Sequence, residues 1–133
     1  EGLGGGHNTR AALITRGLAE ITRLGVALGA EPATFAGLAG MGDLILTATD
    51  PLSRNHTLGV DLGRGRSLEE ALAGRPTVAE GVNTARAAVS LGERHGVELP
   101  IARQVSEVLF HGKAPRQAIA DLMERELKAE QWR

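Results

Sequence analysis

The chain has 133 residues, 42% hydrophobic and 2% aromatic, which is one domain's worth of sequence with enough apolar material to close a single core. Lys and Arg total 15 against 16 Asp and Glu, a net charge of −1, so there is no basic excess to displace counterions from nucleic acid or to hold an anionic membrane. Without cysteine there is no disulfide, thiolate nucleophile or Cys zinc site, and no apolar run reaches the length of a membrane span or signal-peptide core, so a reducing cytoplasm suits the chain best.

The first element follows a glycine-rich string, Gly2-Leu3-Gly4-Gly5-Gly6-His7, which opens at Glu1 without a methionine and reads as the cut end of a longer protein. Asn8 is the expected N-cap of a long helix whose apolar face is Ile14, Leu18, Ile21, Gly25 and Leu28, with Gly29 as its C′ residue. Pro32 opens a short helix through Phe35. Glycines between Gly37 and Gly42 interrupt the pattern before Asp43-Leu44-Ile45-Leu46, and Leu44 to Thr47 is ambiguous on periodicity alone. Ser53-Arg54-Asn55, after Asp50-Pro51, opens another helix, and Ser67-Leu68-Glu69-Glu70 is a capping box leading into Ala71-Leu72.

Val82, Ala85, Val89 and Gly92 form the buried stripe of a helix ending near His95-Gly96. Pro100 starts the next, with Ile101, Val105, Val108 and Leu109 inward. Pro115 starts the last, through Ala118-Ile119 and Leu122-Met123 into a charged end, Glu124 to Arg133, that frays at its tip. No alternating strand pattern, internal repeat or linker breaks the series. The expectation is all-α: a single multi-helix domain over residues 1–133 with about seven or eight helices.

Two clusters carry chemistry. Asp43 stands beside Gly42 and before three aliphatic residues, where a carboxylate is costly to desolvate unless it meets a cation or several donors. It either caps the helix that follows or accepts hydrogen bonds from a polyol or a catalytic ammonium, with Thr47 one turn on along the same face. Ser53, Arg54 and Asn55 bring a hydroxyl, a guanidinium and an amide to free backbone N–H groups, a set suited to phosphate, although a plain Ser cap beside a solvated Arg accounts for the same letters. Glu80, in Val78-Ala79-Glu80-Gly81, is by itself an acidic residue of a helix first turn. Neither glycine cluster completes GxGxxG after a strand, and His7, His56, His95 and His111 lack metal-ligand spacing and read as surface or cap residues, so no metal site is expected.

Taken together, NTRAALITRGLAE (8–20), GLAGMGDLILTATDPLSRN (37–55), VAEG (78–81) and GVELPIARQVSEVLFHGKAPRQAI (96–119) resemble, in order and spacing, the C-terminal domain of bacterial NAD(P)-dependent glycerol-3-phosphate dehydrogenases. The resemblance implies a helical substrate domain of the 6-phosphogluconate dehydrogenase C-terminal type. An N-terminal Rossmann domain, which this chain lacks, would bind most of the NAD or NADP. It further implies that Asp43, Thr47, Ser53, Arg54 and Asn55 bind sn-glycerol 3-phosphate or dihydroxyacetone phosphate, and that Arg54, Val78 and Glu80 touch the cofactor.

No catalytic residue is expected within the chain, because the lysine that handles the alcohol proton belongs to the segment before GLGGGH. Lys113 and Lys128 fall in no matching motif and read as solvated helix-end residues. His56 and Thr57 stand where relatives often carry further arginine, and His7 where they often carry a small or acidic residue. The implied setting is a cytoplasmic oxidoreductase feeding glycerophospholipid synthesis, with its own N-terminal domain as partner and a homodimer as its assembly. A free-standing helical interaction module, or the helical domain of a dehydrogenase for another anionic alcohol, are the alternatives.

Overall fold

A computed structural model describes residues 2–4, 6–50, 53–73 and 79–128, except for the side chains of residues 47, 79–81 and 126–128. The described residues hold eight α-helices and no strand: α1 (His7–Ala27), α2 (Pro32–Ala36), α3 (Asp43–Thr49), α4 (Arg54–Gly63), α5 (Leu68–Leu72), α6 (Ala79–Arg94), α7 (Pro100–Phe110) and α8 (Pro115–Lys128). A π-helical turn, Leu38–Gly42, joins α2 to α3. None of these helices is long and apolar enough to cross a membrane.

Start and stop signals explain most boundaries. Prolines at the first positions of α2 and α7 place a residue with no N–H where the helix needs none. Gly29 and Gly96 take positive φ of 99° and 65° just beyond α1 and α6, which glycine adopts at little cost. The capping box of α5 forms in full: Glu70 N–H donates to Ser67 Oγ at 3.1 Å, and Ser67 N–H donates to Glu70 Oε1 at 3.2 Å. The charged end is helical as far as Lys128, and the tip beyond it lies outside the described residues.

Three expectations need correcting. Asn8 does not cap α1. Gly6 does, extended at φ −80° and ψ 178°, and Arg10 N–H closes the first turn on its carbonyl at 3.2 Å, which leaves Asn8 exposed inside the helix. Nor is the assigned apolar face of α1 wholly inward: Ile21 and Leu28 are exposed, while Glu20 is 6% exposed. Lys113 is no solvated helix end, since its half-buried ammonium donates to Asp121 Oδ2 at 2.5 Å.

The core lies where α4, α5 and α6 meet. Leu58, Ala71 and Val82 form its centre, with Leu62, Leu68, Leu72, Leu109 and Phe110 against it. The Arg86 guanidinium covers the Phe110 ring at 3.9 Å from its centroid, joining α6 to α7. Gly92 lets the chain fold back after α6, for a Cβ there would stand 2.9 Å from Leu99 Cδ1 and 3.0 Å from Val97 O. Helix α1 reaches α7 through Glu20, whose carboxylate accepts the Ile101 N–H and, at 3.3 Å, the Ala102 N–H. A side chain distant in sequence thus caps a helix that has no side-chain cap of its own.

Candidate functional site

The α3–α4 corner carries the candidate residues. The chain leaves the π-helical turn directly into α3, so Asp43 follows Gly42 in unbroken right-handed helix, at φ −64° and ψ −41°. Asp43 therefore does not cap α3: no side-chain cap bond is made there, and its carboxylate is exposed at the first turn. The ambiguous stretch Leu44 to Thr47 is helix, and its register puts Thr47 one turn beyond Asp43 on the same face.

The corner between the two helices is closed by hydrogen bonds. Ser53 N–H donates to Asp50 O at 2.9 Å, and Ser53 is the expected N-cap of α4, its Oγ accepting the His56 N–H at 3.4 Å. Thr57 Oγ1 donates back to Ser53 O at 3.0 Å. His56 Nδ1 donates to Ala48 O at 2.8 Å, which fixes the tautomer carrying a proton on that nitrogen and ties α4 to α3. The surface reading holds for His7, His95 and His111, which are exposed, but His56 is half-buried and structural. Its spacing of eight residues from Ala48 carries no motif, which is why the sequence concealed it.

Ser53 accepts at the cap and retains its O–H, while Arg54 and Asn55 occupy the first turn of α4 and are both exposed. Their backbone N–H groups precede the helix ladder and are open to an anion. Asp43 opens a seven-residue helix and Arg54 opens the next, so about 10 Å of helix rise lies between Asp43 and the corner. No ion pair joins the two among the described residues, and both side chains are exposed. Val78 lies outside the described residues; Glu80 is the second residue of α6, and only its backbone is described.

Asp43, Ser53, Arg54 and Asn55 do not line the cavities of about 690, 450 and 370 Å³ that the described residues form. The second of these backs onto the corner through Ala48 and His56, with Arg10 and Arg116 at its edge. The candidate face is open surface, bordered by exposed apolar side chains: Leu38 at 90% and Leu46 at 63% exposure, with Met41 and Ile45 beside Asp43. No group of three His, Asp or Glu that could hold a metal occurs among the described residues.

Comparison with known proteins gives a single family. Residues 1–120 match the family described as NAD-dependent glycerol-3-phosphate dehydrogenase C-terminus. The chain is similar to the NAD(P)+ glycerol-3-phosphate dehydrogenase of Geobacter sulfurreducens, 61% identical over 132 residues, which are 99% of this chain and 39% of that protein. The enzyme of the same name from Ralstonia nicotianae is 59% identical over 133 residues, 100% of this chain and 39% of the relative. A crystal structure of glycerol-3-phosphate dehydrogenase from Coxiella burnetii superposes with a TM-score of 0.89 at 43% identity, covering 93% of this chain and 38% of that one. The chain thus spans 39% of the length of the curated relatives it matches. Its all-α architecture is of the 6-phosphogluconate dehydrogenase C-terminal type, and by the match over residues 1–120 it belongs to the family of NAD-dependent glycerol-3-phosphate dehydrogenase C-terminal domains.

Proposed function

We propose that residues 1–133 form one helical domain that supplies the substrate side of an NAD(P)-dependent dehydrogenase interconverting sn-glycerol 3-phosphate and dihydroxyacetone phosphate. The observation that carries the reading is the α4 start. Ser53 accepts the cap bond and keeps its O–H to donate to a substrate oxygen, and the exposed Arg54 and Asn55 stand in the first turn beside it, within a chain 61% identical to a relative bearing that activity in its name. Arg54 holds the phosphate, its planar fork matching two oxygens at once. Asp43 serves the polyol end, as acceptor for a hydroxyl or partner for an ammonium, with Thr47 beside it.

The nicotinamide, when bound, gives or takes the hydride at C2 of the substrate. The described residues fit one side of such a cofactor. They contain no strand and no dinucleotide fingerprint, whereas the exposed Arg54 guanidinium can meet a pyrophosphate or ribose edge. Val78 and Glu80 join this reading on the sequence resemblance. The remaining cofactor contacts and the lysine that handles the alcohol proton come from an N-terminal domain of the longer relatives' kind. A cytoplasmic setting, a role in glycerophospholipid synthesis and a homodimeric assembly complete the reading.

Calorimetric titration of the chain with glycerol 3-phosphate, glycerol and inorganic phosphate tests it. Glycerol 3-phosphate binds more tightly than either control if the two clusters serve one ligand, and the chain alone forms no NADH with added substrate and NAD. The competing interaction-module reading has an observation of its own, the exposed Leu38, Met41, Ile45 and Leu46. It requires no preference among the three ligands. Preference for a different phosphorylated or carboxylated alcohol points instead to a related dehydrogenase.

A further inference from the structure

The glycine-rich stretch before Asp43 is ordered, and its geometry has a cause. Gly42 N–H donates to Gly37 O at 3.3 Å, the wide bond that makes the turn π-helical, and Asp43 N–H donates to the carbonyls of Leu38 and Gly40. Asp43 is thereby the last link of the turn, and its direction follows the turn's width. Phe35 underlies the turn. A Cβ built on Gly40 would strike the Phe35 carbonyl oxygen and stand 2.5 Å from Phe35 Cα, so the turn lies directly on the Phe35 backbone and has no room for a side chain. At its other end the Phe35 ring rests on α1, where a Cβ on Gly25 would strike the ring tip and stand 2.7 Å from Cε2. One half-buried aromatic is gripped between a glycine of the longest helix and a glycine of the turn that aims Asp43.

We infer that Phe35, seated on Gly25 and supporting Gly40, is a positioning residue for the Asp43 carboxylate. The inference rests on the reading of Asp43 as a substrate-site group. It follows from two facts of packing: the tip of the Phe35 ring has no clearance from the α1 backbone at Gly25, so a group added there moves the ring and α2 with it, and the Phe35 backbone lies against Gly40, where the contact is backbone on backbone and cannot yield as the end of a side chain would.

The experiment uses a dehydrogenase carrying this domain, with residues 1–133 in place of the matching part of the Geobacter sulfurreducens relative. Gly25→Ala pushes on the ring tip. Alanine is the better helix former, so a loss at this position reports the clash rather than a weaker α1. We expect kcat for glycerol 3-phosphate oxidation to fall by about ten- to a hundredfold with little change in KM and an unaltered circular dichroism spectrum.

Adding Phe35→Leu removes the ring tip and should restore most of the lost kcat. In an Asp43→Asn background, Gly25→Ala should cause no further loss, because both act through one group. If the two losses multiply, or if Gly25→Ala leaves kcat unchanged while Asp43→Asn lowers it, Phe35 does not position Asp43 and only this inference falls. If Asp43→Asn leaves kcat and KM unchanged, the substrate-site reading of Asp43 falls, and this inference with it. Should Gly25→Ala fail to fold, Phe35→Ala withdraws the ring from Gly25 and should lower kcat more than Phe35→Leu does, with no further loss in an Asp43→Asn background; an unchanged kcat for Phe35→Ala overturns the inference.

Discussion

Removing Glu20 exposes how much one buried carboxylate holds α1 against α7. Glu20→Ala leaves the Ile101 and Ala102 N–H groups without their side-chain acceptor at the start of an eleven-residue helix that has no cap of its own. Each orphaned, part-buried N–H costs about 1–3 kcal/mol, about 2–6 kcal/mol for the two, and the variant regains part of that by no longer burying a carboxyl group, so a net loss of about 2–4 kcal/mol is expected. With a urea dependence of about 1–2 kcal/mol per molar, the unfolding midpoint of the chain, followed by circular dichroism, should fall by about 2 M.

The pH dependence separates the opposing causes. Burial pushes the Glu20 carboxyl above its ordinary 4.5, against the opposite pull of the Ile101 and Ala102 N–H groups and of Arg23 and Arg125. The folded chain therefore holds this proton more tightly than the unfolded one. Stability from Glu20 is fully present below pH 4.5 and is lost as pH rises through the raised folded value. Relative to the non-titrating Glu20→Gln, the parent chain should be at its best in acid and lose ground toward neutrality. A gap that widens as pH rises would show that the two N–H bonds outweigh burial and would refute the reasoning. An unchanged urea midpoint for Glu20→Ala would show that α7 does not depend on the cap.

Three further perturbations have definite expected outcomes in a dehydrogenase given this domain or in the chain itself. Arg54→Lys keeps the charge but loses the planar fork, so kcat/KM for glycerol 3-phosphate should drop about ten- to a hundredfold and Arg54→Ala should cost more; a change within about twofold for Arg54→Lys returns Arg54 to the solvent. Asp43→Asn keeps the shape without the charge and should lower mainly kcat, read from the same steady-state curves. Hydrogen bonds from Ser67 hold the Glu70 carboxyl below its ordinary 4.5, so its stabilisation is present above that pH and is lost as pH falls through the folded value, the reverse of Glu20. Urea midpoints of the parent chain and Ser67→Ala should accordingly differ at neutral pH and converge in acid.

What the sequence disclosed follows from the range of the interactions involved. The α5 capping box, the Pro-led starts of α2 and α7 and the Ser53 cap are contacts within four residues, and each formed where its letters stood. Local competition misled at Asn8, where an extended Gly6 took the cap one residue before a helix that begins at His7. The break read into Gly37–Gly42 is helical because glycine also permits the close approach to the Phe35 backbone that this π-helical turn makes, and that approach goes with the packing of α2 on α1. Glu20 was invisible for the same reason: its partners lie 81 and 82 residues away, and periodicity on α1 favours Ile21 as the inward residue. Of the candidate site, residue types and order were legible, whereas the exposure of Asp43 and the role of His56 as a tether between α3 and α4 depended on tertiary contacts.

The core and the candidate site occupy different parts of this molecule. Leu58, Ala71 and Val82, with Leu109 and Phe110 packed on them, draw the core from α4 to α7, while the π-helical turn and α3 expose Leu38, Met41, Ile45 and Leu46 around Asp43. The segment bearing the carboxylate has little apolar burial of its own and is held instead by backbone contacts onto Phe35 and by the His56 bond to Ala48. Segments with few buried contacts open most readily, and sites that must admit and release a ligand are drawn from them. Substitutions in the α4–α6 core should therefore shift unfolding without selecting between kcat and KM. Substitutions at Gly25, Phe35 and Gly40 should act on geometry, because these residues pack the turn that leads into Asp43 against the long helix α1.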